Sequence, residues 1–445
     1  MSATPTPSSS SSSSAAAAAS ASSSSSDAGS LRIDPERLRT YLDAFASPDV
    51  GGTPQGGVSR PAASDADKAA RDRFTETARE LGLEVRFDDV GNMTARRPGT
   101  DDAALPVLIG SHLDTVVPGG RFDGILGVAI ALETVAAMND ADARTLRPVV
   151  VVNWMGEEGA RFPPAMLGTG VITGQWDAAY AHSRTDADGI RLDDALERIG
   201  YLGEPEHRVG DFFASLEAHI EQGPQLEQSG ALVGIVPRVE PVRWSMVRVT
   251  GTGGHAGGPG PGGRHESVVA AARMIVAARD AAVAVGAFKT TVGRMRVEPG
   301  STNVIAHEAE FSLDVRARDD ETLDRRLDEL EALFRRIAGE EGVGVEIDRF
   351  WSMRSPAFDE RIQRMLERAA DARGIRWQHT VGTIGHDSVH LAGAGPTAML
   401  FTQTRDGRSH CEDEFAPWES VVATAQVFAD TALALANSGE LDRAG

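Results

Sequence analysis

Apolar runs and helical spacings alternate along the first half of the chain. Residues 106–109 form a short apolar run that ends at Gly110, and residues 148–154 form a second run of β-branched residues. Between them, residues 125–138 carry apolar positions at helical spacing. A short apolar run is consistent with a buried parallel strand, and a strand–helix–strand order builds a parallel sheet with right-handed crossovers. The pattern therefore predicts an α/β fold from residue 105 onward.

A different order begins near Trp244. The pattern predicts, in chain order, a strand (244–250), a helix (267–285), two strands (290–297 and 303–316), a helix (321–337) and a strand (343–350). This β-α-β-β-α-β order is that of a ferredoxin-like two-layer sandwich. Alternation resumes from residue 359, with a strand at 397–402 and a final helix at 418–437.

The pattern predicts an interrupted main domain. We expect two parts of one larger domain, residues 31–242 and 354–445, with residues 243–353 inserted between them. Residues 1–30 are almost pure Ser and Ala. Such a tract buries too little apolar surface to offset its ordering entropy, so we expect a disordered tail.

Composition narrows the class of protein. The 445 residues carry a formal net charge of −21 and a single cysteine, Cys411. An acidic surface repels a phosphate backbone, which argues against nucleic acid as a partner. One cysteine excludes an intramolecular disulfide and a thiolate zinc site. No apolar run approaches the ~20 residues that span a bilayer, and no secretory signal is evident, so we expect a cytoplasmic protein without membrane contact.

Candidate metal ligands lie where predicted strands end. Four imidazole or acidic side chains lie at these ends: His112, Asp123, Glu157 and Glu158. Asp114, two residues after His112, would project to the same side, which suits a carboxylate that orients a ligating imidazole. In open α/β sheets, sites form beyond the carboxyl ends of strands. Two adjacent carboxylates after a buried strand are costly unless a positive charge lies nearby. A hydrolase can use one carboxylate as a metal ligand and its neighbour to take a proton from water.

Each of these residues also has an ordinary structural interpretation. A lone His near a strand end is more often structural, Asp123 alone would most often cap a helix, and Glu157-Glu158 alone could form an exposed acidic turn. Two later segments favour the metal site, namely residues 217–224 with His219 and residues 408–414 with His410. His410 and Cys411 would point to opposite faces of a strand, which argues against a Cys/His nucleophilic pair.

Six segments, in this order, resemble the hydantoinase/carbamoylase-type amidohydrolases. They are GSHLDTVVPGGRFDGILGV, NWMGEEGARF, LEAHIEQGP, GGHAGG, STNVIA and GRSHCEDEF. This group includes N-carbamoyl-L-amino-acid hydrolases, dinuclear-metal β-ureidopropionases and allantoate amidohydrolases, within the superfamily of di-metal aminoacylases and carboxypeptidases. The resemblance extends from Leu31 to Ser438. It implies an α/β fold, with a mixed-sheet catalytic domain and an inserted ferredoxin-like domain that serves as lid and dimerisation surface.

The resemblance implies two divalent metal ions per subunit, zinc or alternatively manganese, cobalt or nickel. It assigns five residues as metal ligands: His112, Asp123, Glu158, His219 and His410. Asp123 would bridge the ions, with His112 and His219 completing one site and Glu158 and His410 the other. Glu157 would be the general base and Asp114 a support for a ligand. His255 would stabilise the oxyanion, within its own subunit or across a homodimer formed through the inserted domain.

The resemblance also assigns a substrate-binding set: Gln222, Asn303, Arg316 and His386. Arg316 would grip a substrate carboxylate in a bidentate fork. The expected reaction is hydrolysis of a linear amide bond in an N-carbamoyl (ureido) or N-acyl amino acid. An aminoacylase or dipeptidase, or an inactive binding homologue, are the alternatives. Residues 237–239, 258–266 and 382–385 depart from the family pattern in loops expected to line the pocket, so the exact substrate stays open.

Overall fold

The structure is a computed structural model that describes residues 31–441. The Ser/Ala-rich tail, for which disorder was predicted, lies outside these residues. Across the described part of the chain, no helix is long and apolar enough to cross a membrane. The described chain forms one large mixed sheet covered by helices and a second, smaller antiparallel sheet.

The helices and strands have the following bounds. The α-helices are α1 (Pro35–Phe45), α2 (Asp65–Glu80), α3 (Ile125–Asp140), α4 (Leu167–Ile172), α5 (Ala178–His182), α6 (Leu192–Ile199), α7 (Gln225–Ser229), α8 (Ser267–Val285), α9 (Asp320–Glu341), α10 (Glu360–Ala372), α11 (Asp387–Ala394) and α12 (Trp418–Asn437). The strands of the large sheet are β1 (Glu84–Phe87), β2 (Met93–Arg97), β3 (Val107–His112), β4 (Val149–Trp154), β5 (Ala214–Ile220), β6 (Val233–Val236), β14 (Trp377–His379) and β15 (Thr397–Thr402). The remaining strands are β7 (Val242–Thr250), β8 (Gly254–His255), β9 (Phe288–Thr291), β10 (Met295–Glu298), β11 (Val304–Ile305), β12 (Glu308–Ala317) and β13 (Gly344–Met353).

The large sheet has the strand order β1-β2-β4-β3-β5-β15-β6-β14. Its four central strands, β4, β3, β5 and β15, run parallel, which confirms the predicted parallel pairing of the first two apolar runs. The pairs β1–β2, β2–β4 and β15–β6 are antiparallel, so the sheet is mixed. Parallel central strands place their carboxyl ends at one edge of the sheet, where a site can form.

The central strands are apolar because helices cover them. Every residue of β3, β4, β5 and β15 is buried. Helix α3 contacts β3, β5 and α12, and its residues 125–138 are buried on all sides. A helix that is apolar all round belongs in a protein interior. The core therefore lies at the centre of this sheet. The packed central strands hold the residues at their carboxyl ends in fixed positions.

The second sheet has the order β10-β12-β7-β13, with β9 also paired to β12. Helices α8 and α9 pack together and contact β12 and β7, and β12 alternates between buried and half-buried residues. Such alternation is typical of a sheet covered on one face. Its apolar cluster includes Phe311 and Phe334, whose ring centroids are 6.0 Å apart.

Two predicted strands of this region are divided in the structure. Residues 290–297 form β9 and β10, which both pair with β12 and are separated by a break that contains Gly293. Residues 303–316 form β11 and β12, because β11 leaves the sheet to pair with β8 in a separate two-stranded ribbon. The order of helices and larger strands follows the prediction.

Candidate metal centre and substrate cleft

Two groups of candidate metal ligands meet at the carboxyl edge of the large sheet. His112 ends β3, His219 lies near the end of β5, and Glu158 follows β4. Asp123 precedes α3, and His410 lies in the loop after β15. Ligand atoms of His112, Asp123 and His219 lie within 4.8 Å of one another, as do those of Asp123, Glu158 and His410. The structure thus brings together the five implied ligands, with Asp123 in both groups.

The His112 imidazole is neutral and has a nitrogen lone pair free to bind a cation. Its Nδ1 lies 2.9 Å from the carbonyl oxygen of Asp114, and burial lowers the pKa of His112 to about 4. A carbonyl can only accept, so the neutral ring carries its proton on Nδ1 and a lone pair on Nε2. That Nε2 is buried without a hydrogen-bond partner among the described residues, 3.5 Å from the Glu157 carboxylate. A cation would relieve the repulsion between this lone pair and the carboxylate.

Asp123 presents one oxygen to each ligand group. Its Oδ1 lies 3.1 Å from His219 Nε2, and its Oδ2 lies 3.1 Å from His410 Nε2. Burial alone would raise the pKa of Asp123, but interactions with the two histidines outweigh burial and hold this pKa well below its usual range. An ionised carboxylate with one oxygen toward each group is suited to bridge two cations.

The remaining carboxylates make the centre strongly acidic. Burial and the carboxylate of Glu158 raise the pKa of Glu157 well above its usual range. Burial and Asp123 do the same to the pKa of Glu158. Several ionised carboxylates cannot share a buried site without protons or cations. Imidazole and carboxylate donors suit divalent transition-metal ions such as zinc, so the residues present fit the implied metals.

Asp114 acts differently from the prediction that its carboxylate orients His112. The carboxylate lies 3.9 Å from His112 Nδ1, too far for a hydrogen bond. The main-chain carbonyl makes that contact instead. The carboxylate accepts hydrogen bonds from the backbone N–H groups of Glu157 (3.3 Å) and Glu158 (3.4 Å). One residue therefore supports both the imidazole and the adjacent glutamates.

Glu414 and Ser409 support the centre but were not found from the sequence. Glu414 Oε1 accepts hydrogen bonds from the backbone N–H groups of Phe122 (2.9 Å) and Asp123 (3.1 Å). The Ser409 hydroxyl lies 2.6 Å from Glu414 Oε2 and 3.1 Å from Asp123 Oδ2. These contacts join the loop that carries His410 to the turn that carries Asp123. The acidic run at 412–414 was a visible signal, but nothing local distinguishes Glu414 within it.

His410 lies in a turn rather than on a strand. Its φ of +54° is in the left-handed region, so the predicted opposition of His410 and Cys411 across a strand was wrong. Burial and Asp413 raise the pKa of the Cys411 thiol. Because a thiol is a poorer nucleophile than a thiolate, this shift does not favour a nucleophilic role for Cys411.

A cleft, partly open to solvent, extends from the candidate metal ligands to the second sheet. Three predicted substrate-binding residues line it: Gln222, Arg316 and His386. Gln222 Nε2 donates to Asp123 Oδ2 at 3.0 Å. The His386 ring is buried with its centroid 4.1 Å from that of His219, and burial holds the pKa of His386 well below its usual range.

His255 and Asn303 do not line this cleft. Both are exposed, and they lie together in the ribbon of β8 and β11, where the Ala256 N–H donates to the Asn303 carbonyl. Residues 258–260 and 262–266 are likewise absent from the cleft lining. Residues 382–385 contribute Ile384 and Gly385, and residues 237–239 support that loop through a bridge between Val239 and Gly382.

Known proteins resemble this chain over most of its length. The pattern of peptidase family M20/M25/M40 matches residues 108–434. An N-carbamoyl-L-amino-acid amidohydrolase from Rhizobium meliloti is 37% identical over 401 residues, which cover 89% of this chain and 95% of that protein. Allantoate amidohydrolase from Bacillus subtilis (strain 168) is 30% identical over 85% of this chain and 92% of its own. The crystal structure of an amidase of the hydantoinase/carbamoylase family from Burkholderia multivorans has a TM-score of 0.83 and 36% identity, covering 92% of this chain and 99% of that one. These similarities confirm the resemblance seen in the sequence motifs.

Proposed function

The chain belongs to peptidase family M20/M25/M40 and is a hydrolase of carbon–nitrogen bonds in linear amides, and on this premise we propose that it hydrolyses a small N-carbamoyl or related N-acyl amino acid. The observation that carries the proposal is the position of Glu157. This carboxylate lines the same cleft as Asp123 and Arg316 and lies beside His112, without belonging to either ligand group.

Each residue of the centre has a role in this proposal. His112, Asp123 and His219 would hold one divalent ion, and Asp123, Glu158 and His410 a second. Ions bound there would polarise the amide carbonyl and lower the pKa of a nearby water. Glu157 would take a proton from the attacking water and return it to the leaving nitrogen. With a ureido substrate, water adds to the carbonyl carbon, the carbon–nitrogen bond breaks, and the amino acid leaves with carbamate, which decays to ammonia and carbon dioxide.

Arg316 would bind the substrate carboxylate. Its guanidinium donates to both oxygens of Asp314 and to the Thr383 carbonyl at 2.6 Å. A guanidinium has five N–H groups, so two remain to point at a ligand. A carboxylate is equally required for N-carbamoyl and N-acyl amino acids, so Arg316 does not separate the carbamoylase from the aminoacylase or dipeptidase alternative. Ammonia release separates them.

The decisive test combines a substrate panel with the Glu157→Gln variant. Purified protein with added manganese or zinc is assayed with N-carbamoyl and N-acyl amino acids for both ammonia and free amino acid. We expect Glu157→Gln to lower kcat by at least ~10²-fold, because general-base catalysis contributes that much, and to keep its metal content. Glu76→Gln, an exposed glutamate on α2, is the matched control. A fully active Glu157→Gln variant would show that another group takes the proton.

We also propose a homodimer formed through residues 243–353. Helix α8 exposes Val269, Val276 and Val283 at seven-residue spacing, with Val283 72% exposed. This spacing puts them on one face of the helix. We propose that a second copy of this chain covers this helix face. His255 and Asn303 lie outside their own chain's cleft, and in a dimer they could complete the cleft of the other copy. Sedimentation should show a dimer that Val276→Asp dissociates and Ile190→Asp, at an exposed position elsewhere, does not.

A further inference from the structure

The far side of the cleft is an apolar wall built by the second sheet. Strand β7 contributes Val242 and Trp244, and β13 contributes Trp351 and Met353. In the antiparallel pairing, Trp351 lies directly opposite Trp244 and Met353 opposite Val242. Residues two apart on a strand share a face, and directly opposed residues are in contact. The four side chains therefore form one continuous surface facing the metal ligands.

The two tryptophans present carbon surfaces to the cleft. Their ring centroids are 4.3 Å apart at an angle of 33°. The indole Nε1 of Trp244 donates to Asp314 Oδ2 at 2.7 Å. Because the Trp244 indole N–H is already paired and fixes that ring, Trp244 offers an oriented aromatic surface that does not require a hydrogen bond from a ligand.

A loop closes the wall on one side. Ile384 and Gly385 line the cleft next to Met166. A Cβ atom at Gly385 would lie 2.5 Å from Met353 Sδ, so glycine there lets the loop pack directly on the methionine. The side of the wall that this loop forms is therefore apolar as well.

Asp314 joins this wall to the carboxylate-binding arginine. Its carboxylate accepts from the Trp244 indole and from the Arg316 guanidinium. In an α-amino acid, the carboxylate and the side chain leave the same carbon atom. A site for such a substrate must therefore place the groups that bind them next to each other, as Asp314 does here.

We infer that the apolar wall, residues Val242, Trp244, Trp351 and Met353, is the side-chain subsite, and that the substrate is an N-carbamoyl α-amino acid with an aromatic or large aliphatic side chain. This inference rests on the proposed function. A polar second group, such as the additional ureido group of allantoate, would lose its water at this wall without gaining hydrogen bonds. N-carbamoylglycine would leave the wall uncovered.

The test compares kcat/KM of the metal-loaded enzyme for N-carbamoyl-phenylalanine, N-carbamoyl-leucine, N-carbamoylglycine and allantoate, each racemic where chiral. Burial of a large apolar side chain predicts a preference of ~10- to 100-fold for phenylalanine over glycine. Trp351→Ala should reduce this ratio by at least ~10-fold, mainly through KM for the phenylalanine substrate. Trp351→Leu, which keeps an apolar residue and guards against misfolding, should reduce it less.

The matched control is Trp377→Ala, on β14 outside the cleft, which should leave the ratio unchanged. Hydrolysis of N-carbamoylglycine or allantoate as fast as of N-carbamoyl-phenylalanine would overturn the subsite and leave the proposed function standing. An unchanged ratio in Trp351→Ala would also overturn the subsite. Absence of ammonia from every carbamoyl substrate would instead overturn the proposed function.

Discussion

Asp123 is the residue on which both ligand groups depend, and its position is controlled from the distant end of the chain. Glu414 accepts the backbone N–H of Asp123 across a separation of 291 residues. The contact is buried and is reinforced by Ser409. A hydrogen bond to a charged or buried acceptor is costly to lose. Glu414 is therefore a positioning residue for Asp123, the carboxylate that the two candidate groups share.

Glu414→Gln should weaken metal retention more than it weakens folding. The amide keeps the size of the side chain, but it can turn a donor toward the N–H groups of Phe122 and Asp123, which need an acceptor. We expect a reduced metal-to-protein ratio by elemental analysis after gel filtration and a kcat that recovers when excess metal is added.

Glu412→Gln, two residues away in the same loop, is the control for that experiment. Its metal content should equal that of the parent protein. If Glu414→Gln melts at a much lower temperature yet retains its metal fully, Glu414 has a purely structural role.

Some residues of the candidate metal centre could be predicted from the sequence and others could not. His112, Asp123 and Glu158 could be predicted because each lies at the end of a recognisable strand or the start of a helix. Glu414 could not be distinguished from Glu412, because the distinction depends on a contact with residue 123. His255 and Asn303 lie in recognisable sequence motifs. Their position at a ribbon outside the cleft could not be predicted, because it depends on the pairing of β8 with β11.

At the scale of elements, the turn between β3 and α3 leaves no room for a side chain at Gly124. Gly124 caps α3 with a φ of +66°, and a Cβ atom there would overlap the imidazole of His112. Its N–H also donates to His219 Nε2 at 3.1 Å. Glycine is therefore required at position 124 both by the backbone conformation and by the space that the His112 imidazole occupies.

Gly124→Ala should lower stability and disturb the first ligand group. A left-handed φ costs a non-glycine residue about 1 kcal/mol, and displacement of His112 adds to that cost. Gly174→Ala is the matched control, because Gly174 has a φ of +75° and open space around its Cβ position. Denaturant unfolding and metal titration of both variants separate the two effects. Equal losses in both variants would show that contact with His112 is unimportant.

The elements themselves were predicted best where one pattern dominates. Helix α8 and strand β15 begin and end at the predicted residues, since both lie in strongly apolar, periodic segments. The division of residues 290–297 was missed, because Gly293 interrupts a run that otherwise looks continuous. The pairing of β8 with β11 was missed because strands of two residues leave no periodic signal.

At the scale of the whole molecule, we expect the free energy of unfolding of the metal-free protein to fall as pH rises. Without a cation, burial raises the pKa of Asp114 and of Glu414 to about 7. An acid whose pKa is raised by folding stabilises the folded state only while protonated, so its contribution is lost as pH rises through the folded pKa. Above pH ~6.5, His112, whose pKa burial lowers, is neutral in both folded and unfolded chains and does not oppose this trend. Burial alone would lower the pKa of His219, but Asp123 raises it above its usual value, so loss of that proton reinforces the trend.

Thermal melts between pH 6.5 and 8.5 provide the measurement. With chelator, the free energy of unfolding should fall by about 1 kcal/mol in total over this range for each such carboxylate, most of it below pH ~7.5, because the slope vanishes above the folded-state pKa. With zinc or manganese present, the cations compensate the carboxylates and the dependence should be small. A chelated protein whose stability is constant or rises across this range would contradict the acidic character assigned to the centre.

The contact between Glu414 and the turn at Asp123 also has a consequence for biosynthesis. Translation delivers His112, Asp123 and His219 long before it delivers His410 and Glu414. Because Glu414 positions Asp123, which both groups share, neither group is complete until residue 414 has been synthesised. The two candidate ligand groups are therefore completed together, at the final stage of each molecule's synthesis.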